Sequence, residues 1–160
     1  MASQPVTRSA VTWSEFAKQS PGIAEAGRRL LHQFPPGAIA FLATTRADGG
    51  PRVHPVCPAL HEDGLYVFVV AVSPKRLDLL RDGRFALHAF PSVADDESFY
   101  CTGRALAVTD PAARERATKS FTHHVKDETL FELRLQAALH TTWMHARTPA
   151  TYPVHQHWRA

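Results

Sequence analysis

The chain has 160 residues, of which 44% are hydrophobic and 21% are charged, and these proportions are typical of a globular protein. This length favours a single domain, residues 1–160, that buries its own core. Eighteen lysines and arginines against fifteen aspartates and glutamates give a net charge of +3, and the basic residues form no long run. This does not favour a nucleic-acid-binding protein, and no apolar stretch has the length of a signal peptide or membrane span. We expect a cytoplasmic protein with neither a nucleic-acid nor a membrane partner.

We expect residues 1–11 to form a loose arm and residues 12–34 to be helical. Residues 12–34 place apolar side chains such as Trp13 and Phe16 among charges at helical spacing, with an interruption near Pro21. A Pro-Pro-Gly run then ends the helical segment before the first strand.

Three strands joined by two tight turns are expected next. An Asp-Gly turn separates predicted strands at residues 38–46 and 51–56. A second turn at residues 62–64 leads into a third strand, rich in β-branched and aromatic residues. Pro55 and Pro58 lack a backbone donor, which confines their strand to a sheet edge or to bulged pairing. A meander of this kind closes easily into a small barrel.

The third strand ends at a junction with helix-start chemistry. Ser73 is a preferred N-cap residue and Pro74 a preferred first helical residue. Lys75 and Arg76 then lie in the first turn, where cations are disfavoured by the helix dipole unless an anion joins them. Free backbone N–H groups, a hydroxyl and two cations at one helix start are the parts of a phosphate site. A solvated basic turn is the alternative interpretation.

The second half of the chain continues with strands around one further helix. Asp110 precedes a proline, again the pattern of an N-cap and a first helical residue. The predicted elements are strands at residues 84–90, 99–108 and 129–144, a helix from Asp110 to about Val125, and an edge strand in the tail after Thr148. A helix is a competing prediction for residues 133–139.

This order of motifs resembles the pyridoxamine 5'-phosphate oxidase-like family, the FMN-binding split barrels, which also includes the deazaflavin (F420) dependent reductases. The resemblance covers roughly residues 36–145. The matching motifs are Leu42-Ala43-Thr44, Asp48-Gly49, Pro51 to Val56, Ser73-Pro74-Lys75, the strand 84–90 and Thr102-Gly103-Arg104-Ala105. It implies a mainly β protein with flanking helices, built as a six-stranded antiparallel split β-barrel, with residues 146–160 as a tail.

Two neighbouring strands supply the ring and ribityl contacts that the resemblance implies. Arg52, His54 and Val56 lie at alternate positions of one strand and therefore share a face. Arg52 and His54 can reach a phosphate or ribityl chain, while the backbone around Pro55 and Val56 can meet the ring of the cofactor. On the next strand, the family's cofactor-facing pair matches Phe68 and Val69.

The resemblance also implies FMN as the cofactor, with F420 as the alternative, and a phosphate clamp at Ser73, Pro74 and Lys75. It implies a homodimer with the cofactor in a groove between subunits, because a small barrel is filled by its own side chains. Trp143 can stack near the open ring face, including that of the partner subunit, or pack as a core or interface aromatic. We favour the interface.

The function implied is an FMN-dependent oxidoreductase acting on an unidentified small or aromatic substrate. An F420-dependent reductase is the alternative within this class; it would need a cationic path for the cofactor tail, with Arg28, Arg29 and Arg52 as candidates. A non-catalytic flavin- or haem-binding protein is the alternative outside it, because no general acid can be named. Pyridoxamine phosphate oxidation fits less well, since His54 and Pro74 stand where those oxidases carry arginines.

Two other chemistries receive little support. The pairs His123-His124 and His155-x-His157 lack a third ligand at recognisable spacing, so no metal site is expected. The two cysteines, Cys57 and Cys101, also fit no metal pattern and are expected to be reduced thiols. No Gly-x-Ser-x-Gly nucleophile elbow is present, which argues against a hydrolase.

Overall fold

Eight antiparallel strands and four helices make up the described part of the chain. The computed structural model describes residues 9–33, 38–61, 64–91, 96–119, 121 and 127–160. In chain order the elements are α1 (Trp13–Gln19), α2 (Pro21–Leu31), β1 (Ala40–Thr45), β2 (Pro51–Val56), β3 (Pro58–His61), β4 (Gly64–Val70), α3 (Pro74–Arg81), β5 (Arg84–Ala89), β6 (Glu97–Ala107), α4 (Pro111–Thr118), β7 (Glu128–Met144) and β8 (Tyr152–Arg159).

All eight strands belong to one sheet. Its order is β2-β1-β5-β6-β7-β4-β3, and β8 pairs with β7 beside this path. β7 has 17 residues, and along the edge that does not pair with β6 it pairs with two strands. Its first residues pair with β4, and its last eight residues pair with β8. The helical alternative for residues 133–139 is therefore wrong, because this segment lies within β7.

The two strands at the ends of this path, β2 and β3, are consecutive in the chain and separated only by Cys57. The structure is therefore a mainly β fold whose first and last strands in the sheet order follow one another directly in the chain. Pro55 lies on β2 and Pro58 on β3, each with one hydrogen-bonded neighbour strand. The expected edge position of these prolines is confirmed.

The strand count is eight rather than six. The additional strands are β3, whose four residues begin with Pro58, and β8, which fits the edge strand expected in the tail. A strand can begin with proline where that residue need not donate to a ladder, which is why the meander accommodates β3.

The helices begin where local chemistry predicts, and α4 ends earlier. Thr12 and Glu15 form a capping box at the start of α1, and Asp110 accepts hydrogen bonds from two backbone N–H groups at the start of α4. The break between α1 and α2 falls directly before Pro21. The helix that begins at Pro111 ends at Thr118, short of the expected Val125; Val125 itself and His123-His124 lie outside the described residues.

The core packs α1 and α2 against the sheet. Trp13 and Phe16 are fully buried, and their rings pack edge-on with 5.2 Å between the ring centroids. The ring centroid of Trp13 also lies 6.0 Å from that of Phe99 on β6. Phe16 packs 4.7 Å from Trp158, which anchors β8 to the N-terminal helix. None of the helices in the described ranges is long and apolar enough to cross a membrane.

Candidate functional site

The start of α3 is a basic turn set against two strands. Ser73 occupies the N-cap position and its N–H donates to the carbonyl of Val70 at 2.9 Å, which turns the chain out of β4. Within the described residues the Ser73 hydroxyl makes no capping hydrogen bond, so it remains open to another partner. Pro74 follows as the first helical residue, as predicted.

The two cations of this turn lean towards the beginning of β7. Lys75 is half-buried, and burial lowers the pKa of its ammonium while the charge of Glu128 acts in the opposite direction. Arg76 donates from Nε to Oγ1 of Thr129 at 2.6 Å. The turn is thus a partly enclosed cationic site and not a fully solvated one.

A buried carboxylate on α3 binds the arginine predicted on β2. Arg52 donates from Nε to Oδ2 of Asp78 at 2.7 Å, and the same oxygen accepts from the hydroxyl of Thr44 at 2.9 Å. Asp78 is 4% exposed. Burial raises the pKa of this carboxyl, but the hydrogen bonds from Arg52 and Thr44 lower it by more, so its pKa lies below the ordinary value. Asp78 was not among the residues expected from the sequence.

Arg52 and Asp78 line a cavity of about 310 Å³ between α3 and the β1–β2 turn, here called the α3 cavity; Thr44, Ser73 and Lys75 are not among its lining residues. Its charged lining consists of three arginines and two aspartates, so its formal charge is positive by one. Its uncharged lining consists of Ala47, Pro74 and Leu77. The charged residues are Arg46, Asp48, Arg52, Asp78 and Arg81.

The alternating face expected on β2 is present. Arg52 and His54 are half-buried, whereas the alternate residues Val53 and Pro55 are exposed. Val56 is buried in the core, so from this residue only the backbone is available to a ligand.

Phe68 and Val69 face opposite sides of β4. Val69 is fully buried in the core, so its side chain cannot cover a ligand ring together with Phe68. The Phe68 ring is half-buried and already covered by this chain: Phe121 packs edge-on at 4.7 Å, and Cζ of Arg114 lies 5.1 Å from the ring centroid. Of the cofactor-facing pair expected on this strand, only Phe68 has its side chain outside the core.

Trp143 lies at a different place. It is 44% exposed and lines a second cavity of about 370 Å³, the Trp143 cavity, together with residues such as His88, Glu97 and Arg147. Among the described lining residues of this cavity, Trp143 is the one member of the predicted site. In one chain, Trp143 and the α3 cavity do not form a continuous site.

Two of the arginines considered for binding an F420 tail, Arg29 and Arg52, also lie at different places. Arg29 on α2 pairs with Glu97, whose carboxylate also lies 3.2 Å from Nε2 of His140. Since Glu97 lines the Trp143 cavity, Arg29 belongs to that end of the molecule, away from Arg52. The cations that do join Arg52 are Arg46 and Arg81, which sequence reasoning did not select.

The described residues contain neither a cluster of metal ligands nor a disulfide. No group of three or more His, Cys, Asp and Glu side chains among these residues is placed to hold a metal ion. Both cysteines are free; Cys57 is exposed, and burial raises the pKa of the Cys101 thiol.

No protein-family model matches the chain, and no curated protein sequence matches it. Several solved structures are similar. The haem storage protein HutZ from Vibrio cholerae has a TM-score of 0.56 at 15% identity, covering 73% of this chain and 89% of its own. A putative 5-nitroimidazole antibiotic resistance protein from Bacteroides thetaiotaomicron has a TM-score of 0.55 at 15% identity, covering 66% and 76%.

PhzG from Burkholderia lata, solved with tetrahydrophenazine-1-carboxylic acid, has a TM-score of 0.52 at 12% identity and covers 91% of each chain. At these identities the similarity establishes a shared fold and does not identify a ligand or a reaction.

Proposed function

We propose that this chain binds FMN, with the phosphate held at the start of α3 and the ring lying along β2, and that it acts as an FMN-dependent oxidoreductase on a small or aromatic substrate. The observation that carries the proposal is the hydrogen bond from Arg52 of β2 to Asp78 of α3, which fixes this arginine against the helix whose start carries Ser73 and Lys75. Arg52 and Pro74 both line the α3 cavity, whose formal charge is positive by one. A helix start with cations near it is a favourable place for a phosphate.

Each group has a separate part in this arrangement. The Ser73 hydroxyl and the Lys75 ammonium bind the phosphate at the helix start, where the backbone N–H groups add to the attraction. Arg52 approaches the same phosphate from β2. His54 and the backbone at Pro55 and Val56 follow along the strand towards the ring. FMN supplies the electron-transfer chemistry when bound, and the protein supplies position and charge.

A homodimer is part of the proposal. Both faces of the β7–β8 end expose apolar side chains, with Met144, Tyr152 and Val154 on one face and Trp143 on the other. Neighbouring exposed apolar side chains on paired strands support a contact with a second copy at this end. A second copy would cover it and would bring a Trp143 towards the ring that the first copy holds.

The first experiment is an absorption spectrum of the purified protein. Bound FMN gives the oxidised flavin bands, and reduction of the protein bleaches them. A Soret band would contradict the flavin assignment and would favour a haem-binding protein. Sedimentation velocity at micromolar concentration tests the dimer: a flavin-loaded monomer would contradict the shared groove.

F420 is the second candidate because of one observation. Arg46 and Arg81 extend the positive charge of the α3 cavity beyond Arg52, as the carboxylates of the F420 tail would require. Each of these arginines, however, already has a carboxylate partner: Arg46 lies 3.1 Å from Asp48, and Arg81 lies 3.5 Å from Asp78. FMN has one compact phosphate and does not need Arg46 and Arg81 to leave these carboxylate partners, so FMN is the simpler assignment.

A further inference from the structure

We infer that Asp78 is a positioning residue for anion binding: it fixes the guanidinium of Arg52 against α3, so that the terminal nitrogens of Arg52 are presented to the ligand's phosphate. The inference rests on the proposed function, because it concerns the phosphate of the same ligand. It adds to that function a buried residue that need not touch the ligand.

The hydrogen bonds define the arrangement. Asp78 binds Arg52 through Nε, the inner nitrogen of the guanidinium, at 2.7 Å. The N–H groups on the terminal nitrogens therefore remain for other acceptors, and Arg52 lines the α3 cavity. Thr44 of β1 binds the same carboxylate oxygen at 2.9 Å, which fixes the carboxylate as well. The planar guanidinium is thus held along one edge while the other edge is available.

The hydrogen bond between Asp78 and Arg52 joins α3 to β2. Asp78 lies one helical turn after Pro74, on the same helix whose first turn carries Ser73 and Lys75. The bond to Arg52 therefore connects the two halves of the proposed phosphate site, one on β2 and one on α3. A fixed separation between two cationic groups lowers the ordering cost of binding one anion between them.

Fold stability alone is a poor explanation for this pair. Asp78 is 4% exposed, and a buried ion pair gains little net stability because the desolvation of both charges offsets their attraction. A carboxylate at this position is better explained by the orientation it imposes on Arg52.

Charge and orientation make opposite predictions, and two variants separate them. Asp78→Asn removes the negative charge but keeps an oxygen that can accept from Arg52 and Thr44. Asp78→Ala removes the charge and the acceptor. If only charge matters, both variants bind phosphate more tightly, because a nearby anion has been removed. If orientation matters, Asp78→Ala weakens phosphate binding and Asp78→Asn retains it.

The test is equilibrium titration of the cofactor-free full chain with FMN and with riboflavin, which lacks the phosphate. We expect Asp78→Ala to weaken FMN binding about tenfold and to leave riboflavin binding within about twofold. We expect Asp78→Asn to bind FMN at least as tightly as the wild type. Asp82→Asn is the matched control: it breaks another Arg–Asp pair of the α3 end, with Arg84, outside the α3 cavity, and should change neither affinity.

Two results would overturn the inference in distinguishable ways. If the wild type binds FMN no tighter than riboflavin, the proposed function fails and the inference fails with it. If the wild type prefers FMN and Asp78→Ala prefers it equally, the proposed function stands and the positioning role of Asp78 is wrong.

A second measurement covers the case in which Asp78→Ala does not fold. Thr44→Val keeps the carboxylate but removes one of the bonds that fix it, and we expect FMN affinity to fall by about threefold with riboflavin affinity unchanged. In an Arg52→Ala background the Thr44→Val change should have no further effect on FMN affinity, because its influence passes through Arg52. Independent, additive losses would contradict the inference.

Discussion

Arg76 donates from Nε to Oγ1 of Thr129 at 2.6 Å, so the first turn of α3 is tied to the first residues of β7. Glu128, next to Thr129, is the residue whose charge acts on Lys75. The helix start proposed to hold a phosphate is therefore braced on one side by β7 and on the other by β2 through Arg52 and Asp78.

Lys75→Ala should weaken FMN binding by about one to two decades, because a charge-assisted hydrogen bond to a phosphate contributes roughly 1.5–3 kcal/mol. Riboflavin binding should be nearly unchanged. Fluorescence titration of both ligands measures the effect. Lys18→Ala, which removes an exposed cation in the last turn of α1, is the control. Equal losses for both ligands would mean that Lys75 acts through folding or packing.

Removing the Arg76–Thr129 bond should lower the free energy of unfolding by about 1 kcal/mol. Arg76→Met and Thr129→Val each remove one partner, and chemical denaturation measures the loss. Because both changes remove the same interaction, the double variant should lose less than the sum of the single losses. Additive losses would show that the two side chains do not act together.

The structure was predictable from sequence where local chemistry decides it. The start of α3 follows from Ser73 and Pro74 alone, and the shared face of Arg52 and His54 follows from strand alternation. The Asp78–Arg52 pair joins residues 26 positions apart, and neither local pattern nor spacing indicates such a contact. The available signal was a carboxylate placed between leucines in the middle of a short helix.

The same distinction explains the elements that were missed. β3 has four residues and begins with proline, so it carries too little periodicity to be recognised. Arg114 of α4 covers the Phe68 ring, and this contact could not be predicted because the two residues are far apart in sequence. Trp143 was predicted either to stack near the ring or to pack at the interface. Its position in the Trp143 cavity instead of the α3 cavity depends on the long-range pairing of β7 with β8.

Acid should destabilise the fold through Asp78. Its pKa in the folded state lies below the unfolded value of about 3.9, so the unfolded state binds more protons between these two values. The stability contributed by this group is therefore present above about pH 4 and is lost as the pH falls towards the lowered pKa. Asp78→Asn should have a shallower loss of unfolding free energy over this range. Identical pH profiles for variant and wild type would contradict the assignment.

Gly103→Ala should lower the free energy of unfolding by about 3 kcal/mol or more, because an added methyl overpacks the sheet. A Cβ at Gly103 would lie 1.8 Å from the carbonyl oxygen of Arg134, at the register shift between β6 and β7. Gly22→Ala is the control: nothing lies within 4 Å of its Cβ position in α2, and the change should be neutral or stabilising. Thermal unfolding compares the two, and equal stabilities would contradict the close approach at Gly103.

Titration of the cofactor-free protein with FMN, riboflavin and F420 at matched ionic strength tests the proposed phosphate site directly. We expect FMN to bind at least about tenfold tighter than riboflavin, because of one charge-assisted phosphate contact, and at least as tightly as F420. Equal affinities for FMN and riboflavin would contradict a phosphate site at the start of α3. F420 binding more than about tenfold tighter than FMN, a difference of about 1.4 kcal/mol, would make the chain a deazaflavin-dependent protein instead.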